Sequence, residues 1–293
     1  MKNQNSITFL LFLLALLQAG CLDFHLTQPC WAQQSEAQPP ITPTERFTNK
    51  WALVIGVGSF AEPTWNLKYA TKDANDFKKY LVDDANFDDK NIELLTAENA
   101  SKTTIEESID KFAGRVGKND LMLIYIRTRG TLPHFTKDGE PYLAMPTTGL
   151  NNIEQTAIKM TDFSESIIKK IHPKTIAIIE DADYAKLNNG GGAGIGPLID
   201  LSKSASLAFV GCGPLSWESK TYQNSIFTRH LIDALKSGGK TLDLFHVCDG
   251  FNDAMGNEVE AIRHDRYETA GASGFGHEGA PMRIYIAAPA LKH

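Results

Sequence analysis

Apolar runs of strand length alternate with segments of helical periodicity from Trp51 to near the end of the chain. The runs that predict strands are WALVIGVG, IELL, DLMLIYI, TIAIIED, SLAFVGC and MRIYIAA. Helical patterns lie between them, at about residues 67–82, 103–116, 160–171 and 225–235. Strands that are apolar throughout, rather than at alternate positions, are typical of parallel sheets covered by helices on both faces. The pattern therefore predicts an α/β fold, a three-layer α/β/α sandwich with a mostly parallel central sheet.

One predicted strand, in the stretch TIAIIEDADYA at residues 175–185, ends in Glu180, Asp181 and Asp183. In open α/β sheets, functional groups gather outside the carboxyl ends of the strands. The candidate site is therefore expected at this edge of the sheet, where the predicted strands end after Ile55, Ile126, Ile179 and Val210.

The first residues have the pattern of an export signal. Lys2 precedes the apolar run ITFLLFLLALL, which is too short to span a membrane but typical of a secretory signal. The following LQAGC resembles a bacterial lipoprotein signal with Cys21 as the lipidated residue, although Gln18 departs from that pattern. We expect residues 1–32 to be the export segment, residues 33–49 a Pro- and Gln-rich linker, and residues 50–293 the folded domain. A lipoprotein of the periplasm or cell envelope and a soluble secreted protein both remain open.

Composition narrows the range of partners. The 293 residues are 42% hydrophobic and carry a formal charge of -6, with no basic cluster that would neutralise nucleic-acid phosphates.

The cysteines of the folded part, Cys212 and Cys248, would either pair or remain buried thiols, and no Cys/His spacing predicts zinc. The turn GVGSFA lacks the helix start and the acidic partner of a dinucleotide site. We expect no cofactor, no metal and no nucleic-acid partner, and membrane contact only through a lipid at Cys21.

Several motifs occur in the order typical of one family. WALVIGVGSF precedes a helix with the pattern A..DA, at Ala70, Asp73 and Ala74. GKNDLMLIYIRTRG, EPYLAMP, LSWES and SIFTRHLIDAL follow. Together, from about Trp51 to Ile286, these motifs resemble the bacterial caspase-like and metacaspase-like cysteine peptidases. The resemblance implies a caspase-haemoglobinase-like sandwich and cysteine-type endopeptidase activity.

The two catalytic positions of that family carry other residues here. The family's His lies in a Y.SGHG loop, which reads YIRTRG and places Arg129 at the His position. The family's Cys lies in DAC.SG, which reads DADYAK and places Asp183 at the Cys position. Arg stays protonated at neutral pH and Asp is a poor nucleophile toward an amide. The family's dyad mechanism therefore cannot operate at these positions.

Arg129 and Asp183 are expected to form an ion pair, because the dyad requires the ends of their strands to lie side by side. The alternative is that both are solvated positions. Asp181 matches a family acid that helps to hold a basic substrate side chain, so the cleft would bind Arg or Lys of a peptide without cutting it. Equally, Asp181 would bind Arg129 and leave Asp183 free. The resemblance also implies substrate-binding positions at Ser216 and Glu218, in LSWES.

Two functional hypotheses of different class follow. The favoured one is an exported caspase-like pseudopeptidase, a binding or regulatory module with a peptide or protein partner in its cleft. The alternative is an active endopeptidase that uses non-standard residues, for which Cys212 and His134 are the candidate dyad. A thiol that ends a strand is more often a packing residue, and a His in a loop is more often solvated. A third possibility is a fold that only scaffolds an assembly.

Overall fold

The computed structural model describes residues 46–131, 136–171, 173, 175–184, 206–212, 216–263, 270–275 and 284–290. The predicted export segment, most of the predicted linker and Cys21 lie outside these residues. Within the described part, no helix has both the length and the apolar character of a membrane span.

Eight of the described strands form one sheet, in the order β10-β7-β6-β3-β1-β2, with β4 and β5 attached beside β3. The pairs among β1, β2, β3, β6 and β7 are parallel, and β10 runs antiparallel to β7. A separate antiparallel ribbon joins β8 to β9. The strands are β1 (Lys50–Gly56), β2 (Ile92–Thr96), β3 (Leu121–Thr131), β4 (Tyr142–Leu143), β5 (Ile158–Lys159), β6 (Thr175–Asp183), β7 (Ser206–Cys212), β8 (Glu218–Ser219), β9 (Asn224–Ser225) and β10 (Ala270–Phe275).

Helices cover both faces of the sheet, as the continuous apolar strands predict. They are α1 (Ala70–Asp83), α2 (Lys102–Ala113), α3 (Ile153–Thr156), α4 (Met160–Lys170), α5 (Ile226–Gly238) and α6 (Asn252–Arg263). Short 3₁₀ turns span Pro63–Trp65, Asp89–Asn91, Ala97–Asn99, Gly239–Thr241 and Leu244–Gly250. Ser101 caps α2 and Ser225 caps α5, each by accepting the N–H of the third residue that follows it.

Two hydrophobic cores flank the sheet. One packs Leu53 and Ile55 of β1 with α2 and α4, and the other packs Ala52 and Val54 with α1, α5 and α6. Neighbouring residues of a strand point to opposite faces, so one central strand supplies both cores. This arrangement confirms the predicted three-layer sandwich with a mostly parallel sheet.

The prediction of a late strand at MRIYIAA is wrong for its described part. Residues 284–290 form no strand, and the edge strand is instead the small-residue segment Ala270–Phe275. Ile284 and Ile286 are buried because they pack in the core beside α1, α5 and α6. Lys50 Nζ donates to the carbonyls of Ile286 (3.1 Å) and Ala288 (2.8 Å), which holds this turn against the start of β1. The consecutive apolar residues of the motif therefore reflect burial rather than strand pairing.

Candidate functional site

The candidate site lies where β3 and β6 run side by side beyond their apolar portions. Parallel pairing aligns Arg127 with Asp181 and Arg129 with Asp183. Residues in register on neighbouring strands project to the same face of a sheet. The sheet therefore brings two arginines and two aspartates together as two successive rungs, the inner rung at 127/181 and the outer rung at 129/183.

At the outer rung, the guanidinium of Arg129 contacts the carboxylate of Asp183 through Nη1 and Oδ2. Arg129 Nε also donates to the backbone carbonyl of Trp65 at 2.7 Å. The two side chains are only 5% and 10% exposed. Burial lowers the pKa of Arg129, and the negative charge of Asp183 opposes this shift. The structure thus joins the two residues that the motif resemblance assigns to the family's His and Cys positions.

At the inner rung, Arg127 is completely buried. Its Nη1 donates to Asp181 Oδ1 at 2.8 Å and to the carbonyl of Asp181 at 3.2 Å, and it also donates to Ser216 Oγ. Its Nε lies 3.6 Å from Asp73 Oδ2, and its Nη2 lies 3.7 Å from Glu218 Oε1. We call Asp73, Asp181, Ser216 and Glu218 the acidic cage, because together they enclose this guanidinium.

Other donors hold Asp181 in the cage. Thr228 Oγ1, at the start of α5, donates to Asp181 Oδ2 at 2.5 Å. The hydroxyls of Tyr125 and Thr228 lie 2.6 Å apart, which links this contact to the centre of β3. The carboxylate of Asp181 is therefore positioned from α5 as well as by Arg127.

Backbone N–H groups and one side-chain amide hold the other two acids, Asp73 and Glu218. Asp73 Oδ1 accepts the N–H of Ser225 (3.0 Å) and the side-chain amide of Asn224 (2.9 Å). Glu218 accepts the N–H groups of Lys68 (3.0 Å) and Tyr69 (2.9 Å), just before α1 begins. A carboxylate at this end of a helix satisfies free N–H groups and complements the helix dipole. The acidic cage is thus built from α1, β6 and the β8–β9 ribbon.

The cage has more negative than positive charge. Burial raises the pKa of Asp73 to about 7, with Arg127 opposing and Asp181 reinforcing the shift. Burial by itself would lower the pKa of Arg127, but the charges of Asp181, Asp73 and Glu218 outweigh it and raise that pKa above its usual range. Arg127 is therefore a permanent cation, while Asp73 titrates near neutral pH.

The structure gathers the three residues that were expected to bind substrate, but around a residue of the same chain. Asp181 is 0% exposed and Ser216 is 3% exposed, and both bond Arg127. Glu218 accepts the N–H groups of the two residues that precede α1. This differs from the expectation of carboxylates open to a peptide, and the physical reason is that Arg127 enters the cage from the adjacent strand. Sequence reasoning missed Arg127, although its position two residues before Arg129 placed it on the same face.

Glu180 lies on the opposite face of β6 from Asp181. The hydroxyl of Tyr184 donates to Glu180 Oε1 at 2.5 Å and lies 3.2 Å from Met160 Sδ. The Tyr184 ring packs so closely on Gly130 that a Cβ atom there would overlap it. Burial raises the pKa of Glu180 to about 7, and the Tyr184 hydrogen bond opposes the shift. On this face of the sheet, the Tyr184 ring packs on Gly130 and covers the end of β6.

The side chains of the alternative dyad, Cys212 and His134, lie outside the described part of the structure. Cys212 ends β7, but its side chain lies outside the description, as does all of His134. Cys248 is a free, buried thiol in the 3₁₀ turn Leu244–Gly250, and burial raises its pKa to about 12. A thiol with such a pKa is protonated and unreactive at neutral pH. Within the described ranges, no group of three His, Cys, Asp or Glu side chains could hold a metal ion.

The sheet order and the paired strand ends define the class: a three-layer α/β sandwich whose site lies where two central parallel strands end. The family model described as "Caspase domain" matches residues 49–270. This chain belongs to the caspase-domain family.

Solved structures share this fold. Caspase-1 from Spodoptera frugiperda is 14% identical with a TM-score of 0.56, and the match covers 85% of this chain and 94% of that one. The protein GSU0716 from Geobacter sulfurreducens is 12% identical with a TM-score of 0.54, and the match covers 81% of this chain and 98% of that one. At these identities the likeness is one of fold. No curated protein matches the chain.

Proposed function

We propose that this chain is an exported caspase-domain protein without the family's peptidase activity, which acts as a peptide- or protein-binding or regulatory module. The observation that carries the proposal is the contact between Arg129 and Asp183. The family resemblance places a catalytic His and Cys at these two positions.

Peptide cleavage by this family needs a thiolate nucleophile, a base that accepts its proton and donors that stabilise the oxyanion. A guanidinium has no lone pair for a proton at neutral pH. Arg129 also donates through Nε to the Trp65 carbonyl and contacts the Asp183 carboxylate through Nη1, so its donors are directed into the protein. The outer rung is therefore suited to a structural ion pair and not to acid–base chemistry.

Peptidase assays test the proposal directly. Purified protein is incubated with reporter peptides that carry Arg, Lys or Asp at the cleavage position, with and without calcium. We expect no turnover above that of the matched variants Asp183→Ala and Cys212→Ala. Turnover by the wild type that either substitution abolishes would contradict the proposal and support an active endopeptidase with non-standard residues.

A labelling experiment addresses the Cys212/His134 alternative separately. A thiol reagent applied to the folded protein reports whether Cys212 is a reactive thiolate, and Cys248 is the internal control for a buried thiol. We expect no selective labelling of Cys212. Selective labelling that is lost in His134→Ala would favour the alternative dyad.

Export and the form of the amino terminus are part of the proposal. The charged and apolar pattern of residues 1–32 supports export, and LQAGC supports lipid attachment at Cys21. The intact mass of the mature protein distinguishes a lipidated Cys21 from soluble secretion after cleavage. A mature protein that retains residues 1–32 would contradict export by this route.

A further inference from the structure

Arg127 is an arginine that no solvent reaches, and acids from three separate parts of the chain surround it. Its side chain is 0% exposed, as are those of Asp73 and Asp181, while Glu218 is 20% exposed. A buried cation is tolerated only where carboxylates or carbonyls compensate for its lost hydration. The inner rung therefore has the chemistry of a guanidinium site.

The acidic cage does not depend on Arg127 for its shape. Asp73 is held by Ser225 and Asn224, and Glu218 by the N–H groups that precede α1. Thr228 holds Asp181. Each carboxylate thus has a neutral donor of its own, so the cage is expected to persist when the guanidinium is taken away.

Arg127 also fits the cage incompletely. Its Nε and Nη2 are buried and have no hydrogen-bond partner, because Asp73 and Glu218 lie 3.6 Å and 3.7 Å away. Those distances suit ion pairs but exceed those of good hydrogen bonds. The backbone of β3 fixes where the side chain begins and thus limits how closely its guanidinium approaches both acids. A guanidinium free of that tether could approach them more closely.

We propose that the acidic cage is a guanidinium-binding pocket that Arg127 fills from within the chain, so that the wild-type site is closed to Arg or Lys side chains of other molecules. The inference rests on the proposed function and deepens it, because it specifies how a partner is recognised. A bound peptide has to be recognised without a basic side chain in this pocket.

Cavity rescue tests the inference. Arg127→Ala removes Cγ, Cδ and the guanidinium, and ethylguanidinium supplies those same atoms. We expect ethylguanidinium to raise the Tm of Arg127→Ala by about 3 °C at ten times its Kd, because a ligand that binds only the folded state stabilises it. We expect no rise for the wild type, whose pocket is filled.

Two controls isolate the pocket. Ethylurea has nearly the same shape as ethylguanidinium but no charge, and it should leave the Tm of Arg127→Ala unchanged. Arg115→Ala removes an exposed arginine, so ethylguanidinium should not raise its Tm. In the Arg127→Ala background, Glu218→Gln should weaken ethylguanidinium binding about tenfold, as expected for loss of one charged partner.

Every outcome for Arg127→Ala decides the inference. If the variant is insoluble, it is refolded with and without ethylguanidinium, and recovery of folded protein only with the cation supports the pocket. Failure at all concentrations overturns the inference, as does a folded variant whose Tm does not rise. An equal rise for the wild type also overturns it.

The same samples separate this inference from the proposed function. Arg127→Ala that binds ethylguanidinium and cleaves no Arg or Lys reporter peptide agrees with both. Peptide cleavage by the variant, abolished by Asp183→Ala, would contradict the proposed inactivity while leaving the guanidinium pocket in place. Absence of binding with absence of cleavage would remove the inference alone.

Discussion

The two rungs at the end of β3 and β6 use the same pair of residue types in different surroundings. Arg129 contacts Asp183 at the rim, where the side chains are 5% and 10% exposed, and donates to one backbone carbonyl. Arg127 is fully enclosed and faces three carboxylates. Arg127 and Arg129 are two positions apart on β3, which is the repeat of side-chain direction in a strand. Over this short distance, the surroundings change from a one-to-one ion pair to an acidic cage around a single cation.

The difference shows how depth changes the role of an arginine. At the outer rung, where a small part of each side chain is still exposed, Arg129 has one carboxylate and one carbonyl as partners. In the interior, lost hydration has to be offset by several acids, and burial, reinforced by the charge of Asp181, raises the pKa of Asp73. We therefore expect the inner rung to contribute more to stability than the outer rung.

The largest expected effect comes from removing each cation in turn. Arg127→Met leaves Asp73, Asp181 and Glu218 facing each other and should lower the free energy of unfolding by about 3–5 kcal/mol. Arg129→Met leaves one carboxylate near the rim and should cost about 1.5–3 kcal/mol, the range for a hydrogen bond to a charged group. Urea unfolding of both variants measures the difference. If Arg129→Met costs as much as Arg127→Met, the proposed contrast of depth is wrong.

A double-mutant cycle measures the outer rung itself. We expect the variants Arg129→Ala, Asp183→Ala and their combination to give a coupling energy of about 1–3 kcal/mol, as for contacting residues in one buried network. The exposed pair Lys79–Asp83 on α1 is the matched control and should give about 0.3–0.5 kcal/mol. A coupling near zero at 129/183 would show that these positions are merely adjacent.

The outer rung could be anticipated from strand patterns together with the family resemblance. Apolar runs locate β3 and β6, the family resemblance marks Arg129 and Asp183, and adjacent parallel strands align them. The inner rung was missed since no local pattern shows that Asp73 of α1 and Glu218 of β8 converge on Arg127. That convergence depends on long-range packing, and a charged residue in a strand is normally expected to face solvent.

The end of the chain shows the opposite error. MRIYIAA has the continuous apolar character and β-branched content of a buried strand, but its described residues form a turn. The small residues of Ala270–Phe275 have low strand propensity, yet they pair with β7. Strand propensity reports how well side chains fit a pleated, half-buried surface, so tertiary context overrides it at a sheet edge.

A smaller expected effect is a dependence of stability on pH that arises from Asp73 at the inner rung. The pKa of Asp73 is about 7 in the folded protein and 3.8 in its ordinary range. Between these values the folded state holds a proton that the unfolded state lacks, so stability falls as pH rises and levels off above about 7. We expect this residue to cost about 1 kcal/mol between pH 6 and pH 7, and Asp73→Asn to remove that dependence.

Glu180 supplies the control for this pH dependence. Its pKa is also raised to about 7 by burial, so it contributes a second loss of similar size over the same window. Glu180→Gln keeps an acceptor for the Tyr184 hydroxyl and should remove only that second part. Urea unfolding at pH 6 and pH 7 of each variant and of the double variant separates the two contributions. A pH dependence that persists in Asp73→Asn/Glu180→Gln would contradict the assignment to these two carboxyl groups.

The smallest effect distinguishes charge from shape at the outer rung. Arg129→Lys keeps the cation beside Asp183 but loses the Nε donor to the Trp65 carbonyl, so we expect a cost of about 0.5–1 kcal/mol. Arg127→Lys should cost more, since three nitrogens of Arg127 face three different carboxylates and an ammonium cannot reproduce that fork. Urea midpoints of the two lysine variants test the ranking. Equal costs would mean that only charge matters at both depths, and the acidic cage would then lose its preference for a guanidinium.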